Sequence, residues 1–144
     1  MLRSDEMFEI IDQSKAPNTT PMEGACWIVA DALSMAINAP VYCIYNEALN
    51  HIDHFMVKTG RGVYLDGLGF QSEQQILKEN LSHYEMIYAG DWVKKGEDGE
   101  KVYVTLDKLH AVEFAPKMKS LAKDIIQDLD ASRQIAELLK NAMR

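Results

Sequence analysis

Cys26, His54 and Asp66 are the residues of this 144-residue chain whose types and spacing could carry a reaction together. A thiol attacks as its anion and needs a base within hydrogen-bond reach. An imidazole serves as that base when a carboxylate fixes its tautomer, and backbone N–H donors must then meet the oxyanion that forms on an attacked carbonyl. Acyl transfer through a thioester is the chemistry of such a set.

The elements that must position these residues are legible around them. A loop rich in turn formers, DQSKAPNTTPMEG (12–24), delivers the chain to Cys26. From there Val29 or Ala30, Leu33, and Ala36 or Ile37 follow at helical spacing, which predicts a helix over 26–37 that ends before Pro40. A sulfur in the first turn of a helix faces unpaired N–H groups and the positive end of the dipole, and both favour an anion. The plainer alternative for Cys26, a small buried hydrophobe on an apolar helix face, stays open at this point. VYCIY (41–45), HFMVKT (54–59) and GVYLDG (62–67) read as strands, the last two joined through Gly60-Arg61-Gly62. His54 and Asp66 are then brought side by side on adjacent antiparallel strands, so that the carboxylate can orient the imidazole.

The remaining pattern completes an α+β domain. Met7, Phe8, Ile10 and Ile11 suit a short N-terminal helix; Ser72 and Gln75 form a capping box ahead of Ile76, Leu77 and Leu81; MIYAGDWV and KVYVTL read as two more strands around a charged KKGEDGE turn. From Pro116 onward Met118, Leu121, Ile125, Leu129, Ile135, Leu139 and Met143 predict one long amphipathic helix. The chain is expected to divide into a core over 1–115 and this helix over 116–144. The helix packs on its own core, or it forms a homo-oligomer or protein-partner contact.

Composition narrows the function classes. With 47% hydrophobic residues the chain can bury a core without metal or disulfide staples, and a net charge of -7 provides no positive field for nucleic acid or anionic lipid. Both cysteines, Cys26 and Cys43, are expected to be free thiols in a reducing compartment, and Cys43 within VYCIY to be buried. No run approaches the roughly 18 apolar residues of a membrane span, and the N-terminus lacks the apolar core of a secretory signal, so the expectation is a cytoplasmic protein with no membrane partner. His51-Ile52-Asp53-His54 offers the alternative of a loop metal site, but one short cluster is a weak signal for zinc. No metal and no cofactor are expected.

The stretches GACWIVADAL (24–33), APVY (39–42), DHFMV (53–57) and VYLDGLG (63–69) resemble, in order and context, the core of the transglutaminase-like and papain-like cysteine enzymes, the NlpC/P60 type among them. The resemblance covers about half the chain. It implies that Cys26 is the nucleophile, His54 the general base and Asp66 the residue that orients it, with the Cys26 N–H as one oxyanion donor. Such enzymes usually add a glutamine shortly before the cysteine. Here Gln13 is the nearest and lies further upstream, which leaves Asn18, Thr19 or Thr20 as substitutes. Trp27 could line a substrate groove, although an aromatic at a helix start more often belongs to the core. The short interval from Cys26 to His54 implies a narrow cleft, and the acidic chain suits a basic peptide or protein substrate. The competing expectation is a catalytically inactive core that serves as an inhibitor or adaptor through its C-terminal helix.

Overall fold

The computed structural model describes residues 5–17, 19, 25–81, 84–88, 91–95, 99–122 and 125–143. Its elements run α1 (Asp5–Asp12), α2 (Cys26–Ile37), β1 (Val41–Asn46), β2 (His51–Gly60), β3 (Val63–Asp66), β4 (Gly69–Ser72), α3 (Glu73–Asn80), β5 (Glu85–Tyr88), β6 (Asp91–Lys95), β7 (Lys101–Thr105), β8 (Leu109–Glu113) and α4 (Leu129–Ala142), with a 3-10 segment at Pro116–Ala122. The five-stranded sheet has the order β4-β3-β2-β1-β8, and β5-β6-β7 form a second sheet; all pairings are antiparallel. The class is mixed α+β.

Strand alternation divides the core between the two faces of the larger sheet. Val57 and Leu65 pack with Ile28, Val29 and Leu33 of α2 and Ile135 of α4, while Cys43 and Phe55 pack with Cys26 and Ala30. Their neighbours in sequence, Ile44, Met56 and Tyr64, go instead to Ile76 of α3, Val104 of β7 and Leu109 of β8. Helices therefore cover one face, and α3 with the second sheet covers the other.

The predicted helix at α2 is present with the predicted bounds. Asn38, at φ 54°, closes it in the left-handed conformation two residues before Pro40. The β2–β3 hairpin forms with Gly60 opposite Val63, and Gly62 at φ +69° supplies the turn residue that a side chain would strain. The capping box at Ser72 is complete: its hydroxyl accepts from Gln75 N, and Gln75 Oε1 accepts from Ser72 N at 2.8 Å. Two expectations are corrected. MIYAGDWV is the hairpin β5–β6, with Tyr88 opposite Asp91, rather than one strand, and it contains Gly90, which a strand interior disfavours. The short strands β4 and β8 add the two edges of the larger sheet to the strands the sequence predicts.

The single long helix expected over 116–144 is also corrected. A 3-10 segment and a separate α4 take its place, because Asp128 is extended at φ -150° and starts a new helix by accepting the Ala131 N–H. The apolar stripe advances six positions from Leu129 to Ile135, and Leu129 is exposed. The buried face of α4, Ala131, Ser132, Ile135, Ala136 and Leu139, lies against α1 and α2, and Ser132 Oγ donates to the Ile28 carbonyl at 2.9 Å. Packing in cis thus uses the face that a partner would need.

Asp128 does double duty, since its other carboxylate oxygen accepts Lys15 N at 2.9 Å and ties the turn after α1 to α4. Asp128→Ala is expected to lower stability by about 1–2 kcal/mol, and Asp128→Asn by much less, in urea denaturation. Among the described residues no helix is long and apolar enough to cross a membrane.

Candidate active site

The site forms where the start of α2 meets β2 and the end of β3. Cys26 is 6% exposed, and His54 and Asp66 are 2% exposed each, so the three groups the sequence singled out are buried together. His54 Nε2 lies 3.0 Å from Asp66 Oδ2. That bond occupies one ring nitrogen and leaves Nδ1 as the nitrogen for Cys26, whose side chain also makes a hydrogen-bonding contact with the imidazole.

The β-pairing explains this meeting. Val57 stands opposite Leu65, so Asp66 lies one residue beyond that pair on β3 and His54 three beyond it on β2, and the two side chains meet across the diagonal. The Asp66 carboxylate is itself fixed. Its Oδ1 accepts the Leu68 N–H at 2.9 Å and Gln71 Nε2 at 2.8 Å, while Oδ2 faces the histidine. Gln71 is a positioning residue outside the sequence prediction, because β4, the four-residue strand carrying it, is too short to stand out as an apolar alternation. The available signal was the two-residue link Gly67-Leu68, which folds β4 back so that Gln71 pairs with Tyr64 beside Asp66.

The electrostatics favour a charged imidazole. Burial pulls the His54 imidazolium down, but hydrogen bonds to Asp66 and Cys26, with attraction to both, outweigh it and push the group up to about 9. Cys43, the second thiol, behaves oppositely: it is fully buried, and desolvation pushes it up to about 12. Asp31, one turn into α2, faces away from Cys26 toward Ser132 and Arg133 of α4, with its carboxyl raised by burial.

No side chain caps α2, since Ala25 occupies that position, so the first-turn N–H groups are not consumed by a capping side chain. Gln13 is exposed in the turn after α1, where its N–H donates to the Glu9 carbonyl. Asn18 and Thr20 lie outside the described residues, and Thr19 Oγ1 donates to the Ala16 carbonyl at 2.6 Å. Trp27 is half-buried, edge-on to Phe55 at 4.5 Å and to Phe114 at 4.8 Å, in the aromatic cluster behind Cys26. His51 and Asp53, from the alternative loop metal site, form an ion pair at 3.2 Å backed by Asn46, and no cluster of three such ligands occurs among the described residues.

Comparison of the chain with protein-family models, with curated proteins and with solved structures finds no match.

Proposed function

We propose that this chain is a cysteine-nucleophile enzyme, a hydrolase or acyl transferase that opens an amide or peptide bond through a thioester on Cys26, and that its core is of the papain-like or transglutaminase-like type. One observation carries the reading: a thiol at a helix start, an imidazole and a carboxylate form a buried chain of contacts in that order. A structural role alone would call for none of the three to be ionisable.

In this reading His54 already holds the thiol's proton as an imidazolium, and the thiolate sulfur adds to the substrate carbonyl carbon. The resulting oxyanion is met by the Cys26 backbone N–H. Collapse breaks the carbon–nitrogen bond as His54 returns its proton to the leaving amine, and a thioester remains. Water, or a second amine, then attacks that thioester with His54 again accepting the proton, which restores the thiol. Asp66 holds the ring so that the same nitrogen serves both steps, and Gln71 and Leu68 N hold Asp66. The net charge of -7 favours a basic peptide or protein segment as substrate. An adaptor working through the C-terminal helix has less support, because the apolar face of α4 is already covered by α1 and α2.

The test is iodoacetamide labelling in a Cys43→Ser background, which leaves Cys26 as the one thiol. Labelling of Cys26 is expected to slow about a hundredfold in His54→Ala, and similarly in the conservative His54→Gln, when both retain the wild-type circular dichroism. Equal rates with and without the histidine would remove the base from the scheme and return Cys26 to the core.

A further inference from the structure

We infer that the free edge of β8 is a docking site for an extended peptide segment of a partner protein, which adds a strand to the larger sheet and seats a bulky apolar side chain in the cavity between β8 and the 3-10 segment. β8 ends the order β4-β3-β2-β1-β8, and among the described residues no strand pairs with its outer side. The inference does not rest on the chemistry of Cys26.

Hydrogen-bond parity identifies the backbone groups on that outer side. Phe114 N donates to the Val41 carbonyl at 3.0 Å and Glu47 N to the Lys108 carbonyl at 2.8 Å, with Val112 opposite Cys43 between them. Bonded and non-bonded pairs alternate along an antiparallel ladder, so residues 108, 110, 112 and 114 turn their backbone groups toward β1. Ala111 and Glu113 therefore turn theirs outward, where they meet no backbone partner among the described residues. Proline and lysine, which blunt many strand edges, are absent from Leu109–Glu113.

The cavity beside this edge measures about 570 Å³. Tyr45, Val112, Met118 and Leu121 give it an apolar wall, and Glu113 and Lys117 are the charged part of the lining. The Tyr45 hydroxyl is committed to Asn50, so Tyr45 offers its ring rather than a donor. Val112, Met118 and Leu121 rest on the buried cluster of Cys43 and Phe55, which holds the wall in place without a ligand. Val112 and Glu113 project to opposite faces of β8, so a cavity lined by both reaches round the free edge. An extended chain serves both features. Its main chain pairs with the outward N–H and C=O groups, and its alternate side chains point to one face, where the cavity lies. A helix has no main-chain groups to spare for β8, and an apolar small molecule would leave those groups unmet. Glu113 and Lys117 offset one another, so the cavity selects by size and apolarity, while the net charge of -7 favours basic flanking residues.

The experiment is a titration of the full ¹⁵N-labelled chain with the peptide acetyl-Lys-Leu-Lys-Leu-Lys-amide, followed by the backbone amide resonances of Ala111 and Glu113. Both are expected to move downfield and to saturate at millimolar peptide, with slower hydrogen exchange, as they gain acceptors. The same peptide with serine in place of both leucines is expected to bind about tenfold more weakly, because it has no apolar side chain to bury. Met118→Lys, at a half-buried position on the wall, is expected to weaken the leucine peptide by a similar factor while the rest of the spectrum is retained. Ala111 and Glu113 amides that stay put, or move no more than exposed amides elsewhere, would overturn the strand addition. Equal binding by the serine peptide would overturn the role of the cavity. Amides already protected in a peptide-free chain that sediments as a dimer would give the edge to a second copy and overturn the assignment to a partner segment. None of these readouts involves Cys26, so loss of its reactivity leaves the result intact.

Discussion

Asp66→Ala is expected to cost about 3–5 kcal/mol of folding stability, far more than an ordinary surface change, because it removes one member of a buried, hydrogen-bonded pair and leaves the other without its counterion. His54 and Asp66 are each 2% exposed, so water cannot replace the lost partner. Three donors lose their acceptor at once: His54 Nε2, Leu68 N and Gln71 Nε2. Asp66→Asn keeps an oxygen for Leu68 N and is expected to cost less, although its amide group now has to face the imidazole. Urea denaturation of the two variants against wild type measures the difference, read from the midpoint at constant slope. A loss below about 1 kcal/mol for the alanine variant would show that the pair is hydrated and that the site is more open than its burial implies.

Stability is also expected to fall on the alkaline side in a way that depends on His54. Its imidazolium is pushed from an ordinary 6.5 up to about 9, with burial opposing the shift and the contacts to Asp66 and Cys26 producing it. A raised folded-state value means that the native protein keeps a proton the unfolded chain releases. The contribution is therefore whole below about 6.5, declines as pH rises, and is gone above about 9. Integrated over that window it amounts to something on the order of 3 kcal/mol. Asp53 also lies within electrostatic reach of His54 and reinforces the same sign. Cys43, pushed up to about 12, keeps its proton in the native state while the unfolded chain's thiol begins to release one near 9, so it adds a decline of the same sign above about pH 8, in wild type and His54→Gln alike. Urea midpoints from pH 6 to pH 9.5 are expected to drop in wild type and to flatten in His54→Gln. Parallel slopes in both proteins would mean that the imidazole is already neutral in the native state.

The local elements around the candidate site were readable in the sequence because each rests on short-range signals. The apolar spacing from Cys26 and the Asn38-Ala39-Pro40 stop define α2, the Arg61-Gly62 turn defines β2–β3, and the Ser72–Gln75 box starts α3. The juxtaposition of His54 with Asp66 followed from that hairpin, since strand pairing converts a twelve-residue interval into a side-chain contact. What the sequence left undecided was non-local. Whether the C-terminal apolar residues form one helix depended on Asp128, whose carboxylate capped a new helix and bonded Lys15 across the fold. Whether that helix faced a partner or its own core depended on α1 and α2 being there to cover it. Gln71 became a support for Asp66 only through the β3–β4 register, and β8 became a strand only because β1 had a free edge beside it. Periodicity and turn chemistry thus determined the residues that could meet at the site. Burial and the sheet register, which are properties of the assembled chain, decided their partners and the charge His54 carries.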